Sequence, residues 1–454
     1  MAAIEAPVVE GDTEPSPSPS FVAPLTVTNI DESQYGSQLQ AKVFKLKELF
    51  REFDPPDLEV FESPPRRAPP QPPPLKTALK APLPQPALRH LQQWQRRHVE
   101  VNELMEAVRQ ECIQCPELRN RLFQVNFHTT LAGDAMVTLL YHRKLGAEWT
   151  AAAERLRDVL AATPTAAAAG RRPHVIGRSR KQKVDLDASF VLERLRVGGR
   201  EYVQKQVEGA FSQPNGTVCQ HMLGWALDVT RPPPPRRVRA RREGGEGGGG
   251  GVSSSSGNGV AAKEVEEAAA VVATAEAVET PGEGGGDGGE EEDVDGPQDD
   301  LLELYCGNGN FTVPLAQNFR RVVATEVAKS SVEAARFNLE ANGVSNVFLA
   351  RMASEEFAET MRSRGSRRRL EGLGPWEELR LRTILVDPPR AGLDGFTVEL
   401  LKEFDRIVYI SCNPETLHAN LRAIATTHKI ARFAAFDQFP YTHHLECGVY
   451  LTRR

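Results

Sequence analysis

The chain has 454 residues, room for two or three domains. Hydrophobic residues make up 40%, below the roughly 45–50% of a compact protein, and its 36 Gly and 33 Pro gather in a few tracts, so part of the chain is expected to stay unfolded. No run of about 18 apolar residues occurs, which excludes a helical membrane span, and six scattered cysteines exclude a disulfide framework and point to a reducing compartment.

The net charge of −6 hides an asymmetry. Residues 1–62 and 231–300 are acidic, and the remainder carries a surplus of +11. A basic folded part suits a polyanion such as RNA, although a generic basic surface gives the same sum.

Residues 1–33, with SPSPS and many acids, read as a disordered tail, and their start lacks the features of a secretory signal or transit peptide. SQLQAKVFKLKELF (37–50) places Val43, Leu46 and Phe50 at helical spacing, facing a core. Pro dominates 64–87, which excludes paired strand or stable helix there; a helical pattern resumes from Ala87 to about Val108.

LFQVNFHTTLAGDAMVTLLYHRK reads as two strands around a turn at Ala132-Gly133-Asp134. A helix is predicted over 150–162 and a strand pair in HVIGRSRKQKVDL, so 100–210 reads as an α+β domain. Its Arg178, Arg180, Lys181 and Lys183 are either a solvated loop or a phosphate contact. Cys112 and Cys115 lack the second pair that a zinc site needs and read as a helix-surface pair. Met222–Val229 reads as a helix. Residues 231–299, from RPPPPRRVRARR through Gly and Ser runs to nine acids in 281–300, form a low-complexity insert that cannot bury a core.

From 301 strands and helices alternate. LLELYC, RVVATE (321–326), VFLARM (347–352), TILVDPP (383–389) and RIVYISC (406–412) read as strands, with helices at 313–318 and 330–343. This predicts a doubly wound, mostly parallel sheet that binds its ligand at the carboxyl ends of the strands. Four strand ends carry chemistry. Gly307 and Gly309 follow strand one, with Asn310 as a hydrogen-bonding group. Glu326 ends strand two, where an acid takes ribose hydroxyls. The full G-x-G-x-x-G is missing, which favours S-adenosylmethionine over a pyrophosphate cofactor. Asp387 stands before Pro388-Pro389-Arg390. Cys412 precedes a helix start at Pro414–Leu417, whose amides would lower its thiol pKa, unless it is a buried structural Cys. His443, His444 and Cys447 suggest a metal, but adjacent strand residues point to opposite faces. Glu446, before the apolar strand CGVYL, reads better as a partly buried carboxylate able to act as a base.

These motifs resemble the tRNA (uracil-5-)-methyltransferase family. The resemblance rests on FSQPN (211–215), LLELYCGNGNF (301–311), ATEVAKSSVEAA (324–335), VDPPRAGLD (386–394), YISCNPETL (409–417) and FDQFPYTHHLECGVYL, and covers about 34–64, 103–230 and 300–454. It implies a class I methyltransferase sheet over 211–454, interrupted by the insert, after an α+β RNA-binding region over 34–210. It implies that Gln213, Tyr305, Asn310, Glu326 and Asp387 hold S-adenosylmethionine, that Cys412 is the nucleophile and that Glu446 accepts the proton. It further implies a T-loop uridine of tRNA as substrate and 5-methyluridine as product, with no metal and no membrane; the alternatives are the same reaction on ribosomal RNA and a non-catalytic RNA-binding or folding role. A monomer in the cytoplasm is expected, with an organelle left open. The chain departs from the family where the Pro-rich 65–98 replaces expected RNA-binding strands, and at the insert.

Overall fold

The computed structural model describes residues 34–64, 99–232 and 297–454. The sequence readings of the tail, of the segment 65–98 and of nearly all of the insert therefore lie outside the described residues. Eight strands build the main sheet: β1 (Leu58–Phe61), β8 (Asp300–Leu304), β9 (Arg321–Glu326), β10 (Val347–Arg351), β11 (Leu381–Val386), β12 (Arg406–Ser411), β13 (His428–Phe436) and β14 (Glu446–Arg453). Their order is β1-β13-β14-β12-β11-β8-β9-β10. Every pairing is parallel except the two made by β14, which runs against β12 and β13.

Alternation along these strands builds two cores. Leu302, Leu304, Val323, Ile384, Val386, Ile407 and Tyr409 face one side; Leu301, Val322, Ala324, Leu385, Val408 and Ile410 face the other. A strand buried on both faces reads as a continuous apolar run, which is why these strands were visible as LLELY or TILV. Helices Ser354–Arg362, Gly395–Leu401 and Pro414–Ile424 cover the first face, and helix Gly216–Val229 covers the second. The chain leaves β8 toward β9 in one direction and returns to β11 on its other side. That reversal opens a crevice at the strand ends, where such sheets bind ligands.

A four-stranded sheet, β2 (Leu122–Thr129), β3 (Ala135–Tyr141), β4 (His174–Ser179) and β5 (Gln182–Asp185), packs with helices Val99–Gln114 and Ala147–Ala161. Both predicted strand pairs and the predicted helix are found here. A Cβ on Gly177 would run into the Trp149 ring, so glycine is required at that close approach. A hairpin of β6 (Phe190–Val197) and β7 (Arg200–Val207) leads toward helix Gly216–Val229.

Two readings need correction. The sequence places 34–210 in one RNA-binding region, yet β1, within its first part, extends the catalytic sheet on β13, with Leu58 opposite Phe433 and Phe61 opposite Phe436. A four-residue strand has no stability alone and takes the free edge available. Arg432 of β13 grips Glu59 through two bonds of 2.6 and 2.8 Å. The helix Tyr35–Phe50 buries Leu46 and Phe50 on the same core, as its spacing predicted, while Val43 is only half-buried. Second, Cys112 is not on a helix surface: Leu104, Val108 and Cys112 recur every four residues and form the buried stripe of their helix. Burial pushes the Cys112 thiol up to about 12. The half-buried Cys115 caps the next helix and lies 3.1 Å from Glu117 Oε2.

The basic cluster after Gly177 is partly neutralised. Arg178 donates to Glu208 at 2.9 Å and Lys183 pairs with Asp185 at 3.1 Å, whereas Arg180 and Lys181 stand exposed at the β4–β5 turn.

Candidate active site

The first strand end is a strained turn. Tyr305 takes φ +61°, Gly307 +57° and Gly309 +81°. A left-handed backbone suits the two glycines; for Tyr305 it costs energy that the neighbouring structure must supply. Ser354 donates to the Tyr305 hydroxyl at 2.7 Å and fixes that ring. Nothing lies within 4 Å of the missing Gly307 Cβ, so the turn borders open space. Glu326, ending β9, accepts from Gly307 N at 3.0 Å and from Ala328 N at 2.7 Å. One bond to each oxygen orients the carboxylate and leaves further lone pairs for hydroxyl groups.

Asn310 follows the second glycine. Its Oδ1 accepts from Gln204 Nε2 at 3.1 Å and from the Cys219 thiol at 3.4 Å, while its Nδ2 is buried without a partner. Gln213, in the loop before helix Gly216–Val229, likewise has a buried Oε1 without a partner. A buried orphan donor and a buried orphan acceptor are costly unless a ligand completes them. The amino-acid end of S-adenosylmethionine offers a carboxylate and an ammonium, so these residues fit that donor.

The third and fourth strand ends meet β14. Asp387 follows β11 and is pushed well above the usual carboxylate range by burial. The chain then turns through Pro388-Pro389-Arg390, with Gly392 N donating to Pro389 O at 2.8 Å. Asn413 Nδ2 donates to Arg390 O at 3.0 Å, which docks this loop on helix Pro414–Ile424. Gly392 has φ +78°, and a Cβ there would lie 3.0 Å from both Thr416 and Asn420. Gly392→Ala should therefore destabilise the protein by about 2 kcal/mol, seen as a lower midpoint in urea, and should lower methyl transfer by loosening the Asp387 loop.

Cys412 lies one residue beyond β12, whose Ser411 is opposite Cys447 of β14. The next position across is Glu446, which is 2% exposed and has a buried Oε2 without a partner. Burial and the charge of Asp387 push Glu446 well up. Cys412 is half-buried, and its thiol is pushed up to about 11 by burial, then by Glu446 and Asp387; Arg390 and a backbone amide pull the other way. The expectation of a lowered thiol pKa is thus corrected: burial, and then the two carboxylates, raise it.

The residue that sequence reasoning missed is Glu303, in the middle of β8 and 1% exposed, with a buried, unpartnered Oε2. An acid inside the apolar run LLELY was its signal. Burial, opposed by Thr312 and helped by Asp387, pushes it up to about 8. Its folded pKa exceeds its unfolded one, so the proton it keeps stabilises the fold at low pH, and that contribution is lost as pH rises from about 4.5 through 8. Glu303→Gln should remove this loss. The variant should gain on wild type between pH 5 and pH 9 by a few kcal/mol, at about 1.36 kcal/mol per pKa unit, measured by urea melts at each pH.

His444 meets Phe439 edge-to-face, with Nδ1 3.2 Å from Arg390, and Cys447 is fully buried. Among the described residues no group of three or more His, Cys, Asp or Glu is placed to hold a metal ion. No described helix is long and apolar enough to cross a membrane.

The sheet order with one reversed strand, the glycine turn, the acid ending β9 and the polar crevice define a class I methyltransferase. The family profile of the tRNA (uracil-5-)-methyltransferases matches residues 86–233 and 291–454 and passes over most of the insert. The tRNA/tmRNA (uracil-C(5))-methyltransferase of Chromohalobacter salexigens is 41% identical over 95% of this chain and 98% of its own. The enzyme of that name from Aeromonas hydrophila is 41% identical over 93% and 95%. A solved Pyrococcus abyssi tRNA (uracil-54, C5)-methyltransferase, in complex with S-adenosyl-L-homocysteine, aligns over 92% of this chain and 83% of its own at 16% identity and TM-score 0.49, too distant to carry an argument. The chain belongs to the tRNA (uracil-5-)-methyltransferase family, whose methyl donor is S-adenosylmethionine.

Proposed function

We propose that this enzyme methylates C5 of a T-loop uridine in tRNA through a covalent adduct with Cys412. The observation that carries the reading is a thiol one residue beyond β12 and a buried carboxylate at the start of β14, each next to the paired Ser411 and Cys447, with Asp387 within electrostatic reach of both. The relatives at 41% identity, named for uracil C5 methylation of tRNA and tmRNA, support the substrate class.

Uracil C5 is a poor nucleophile, which is why a thiol is needed. The Cys412 thiolate adds to C6, and the electron pair of the C5–C6 double bond becomes an enolate with density at C5. S-adenosylmethionine, when bound, supplies the methyl group with its sulfonium as leaving group. Glu446 then takes the C5 proton, the double bond re-forms, and the C6–S bond breaks to return the thiolate. Burial makes Glu446 a stronger base than an exposed carboxylate. Gln213, Tyr305, Asn310, Glu326 and Asp387 hold the donor: Glu326 at the ribose, Asn310 and Gln213 through their unpartnered amide atoms. The target base leaves its stack to enter, at a cost of a few kcal/mol. Residues 100–210, with Arg180 and Lys181 exposed, hold the RNA. One chain supplies every one of these groups, which agrees with a monomer; a reducing, cytoplasmic setting agrees with six free cysteines.

The test is methyl transfer from labelled S-adenosylmethionine to unmodified tRNA transcripts. Label is expected with the T-loop uridine and not when cytidine replaces it. Equal labelling of both transcripts would overturn the assigned position.

A further inference from the structure

We infer that Gln204 of β7 is a positioning residue for the methyl donor, acting through Asn310 by setting which end of that amide faces the crevice. This rests on the reading of Asn310 as a donor ligand.

The backbone carbonyl of Asn310 only accepts, and Gln204 lies 3.4 Å from it through Nε2. Gln204 must therefore present its amide nitrogen to Asn310. That nitrogen only donates, so the Asn310 side chain turns Oδ1 toward it, at 3.1 Å. The Cys219 thiol, 3.4 Å from the same Oδ1, adds a second donor. Nδ2 is left on the other side, buried and without an acceptor. An asparagine amide by itself could present either end to a ligand, because the two are nearly the same size. Here the choice is made from behind, by a glutamine that is 1% exposed, with the Cys219 thiol beside it.

The strand that carries Gln204 is itself held firmly against the turn. The edge of β7 away from β6 pairs with asparagines instead of a strand: Val203 N donates to Asn342 Oδ1 at 2.9 Å, Asn342 Nδ2 to Val203 O at 2.7 Å, and Lys205 N to Asn338 Oδ1 at 2.6 Å. Asn338 Nδ2 reaches on to Asn308 O at 2.8 Å, and Asn308 Nδ2 returns to Lys205 O at 3.3 Å. The helix Lys329–Ala341, β7 and the glycine turn are thus joined by side-chain amides on both sides of Gly309. Gln204 sits on a strand with little freedom to shift, as a residue that orients another group must.

The experiment is calorimetric titration with S-adenosylhomocysteine, which needs neither RNA nor turnover. Gln204→Glu keeps the shape but offers an acceptor, so the Asn310 amide should invert and turn Oδ1 to the crevice. Affinity is expected to fall about ten-fold or more, the order for a lost hydrogen bond that leaves a buried group unsatisfied. Gln204→Met, close in shape and without polar atoms, frees the amide to take either orientation and should cost less, and it covers the case in which a buried Glu prevents folding. Both changes are repeated in an Asn310→Ala background, where neither should weaken binding further. A purely structural role would lower the melting temperature and the affinity alike in both backgrounds. Wild-type affinity in the Gln204 variants, or equal losses with and without Asn310, would overturn the inference. Asn310→Ala that binds as well as wild type would overturn the ligand role of Asn310 and this inference with it.

Discussion

Cys412→Ala is expected to abolish methyl transfer while leaving S-adenosylhomocysteine binding within a few-fold of wild type. The thiol stands one residue beyond β12, next to Asn413, whose amide ties the Arg390 loop, and Cys412 is not a member of either buried cluster of the catalytic sheet. Its removal therefore leaves the fold intact. Without addition to C6 there is no enolate, and C5 has no electron pair to offer the sulfonium. Removing the nucleophile of other covalent enzymes costs on the order of 10⁶-fold; a loss to below detection is expected here. A transcript carrying 5-fluorouridine at the T-loop position sharpens the result. Fluorine cannot leave as a proton does, so the wild-type adduct should persist on a denaturing gel and Cys412→Ala should form none. An adduct in the alanine variant, or residual methylation within a hundred-fold of wild type, would remove Cys412 from the chemistry. The thiol also has to ionise from a resting value near 11. Glu446 and Asp387 raise it, so neutralising either one should speed alkylation of Cys412 at pH 8.

The strands of the catalytic sheet are legible because β8, β9, β11 and β12 are buried on both faces and so are mostly apolar, with Glu303 the acid that breaks the run in β8. β1 was not, because Leu58–Phe61 is too short for a pattern and is a strand only where the edge of β13 receives it. The same long-range pairing ties the first helix to the site: Asp437, fully buried, accepts from Lys42 at 2.7 Å and from Tyr35 at 2.9 Å, more than 390 residues apart in sequence. For the site, Glu326 and the glycines follow from strand ends and turn chemistry. The unpartnered atoms of Asn310, Gln213 and Glu446 do not, because an unsatisfied group is a property of its surroundings. The thiol pKa escapes the sequence for the same reason: the helix start is local and visible, while the burial of Cys412 and the charges of Glu446 and Asp387 are set by the surrounding fold.

Glu446→Gln should stop the reaction one step later than Cys412→Ala, and that order is what distinguishes a base from a bystander. Glutamine keeps the size and burial of the side chain but cannot take a proton. Addition to C6 and methylation of C5 need no base at C5, so they should still occur. Elimination should not, and the methylated base should stay bonded to Cys412. With ordinary uridine in the transcript, a denaturing gel should show a protein–RNA adduct that carries label from S-adenosylmethionine, at close to one per enzyme. Turnover should fall by roughly 10²–10⁴-fold, the range for loss of a positioned general base. The buried, unpartnered Oε2 and the electrostatic reach to Cys412 are what make Glu446 the candidate; Asp387 is the control, because it too lies near the thiol and is pushed up by burial. Asp387→Asn should weaken donor binding without trapping a methylated adduct. A labelled adduct in Asp387→Asn and none in Glu446→Gln would exchange the two roles. Normal turnover in Glu446→Gln would leave the proton to another acceptor.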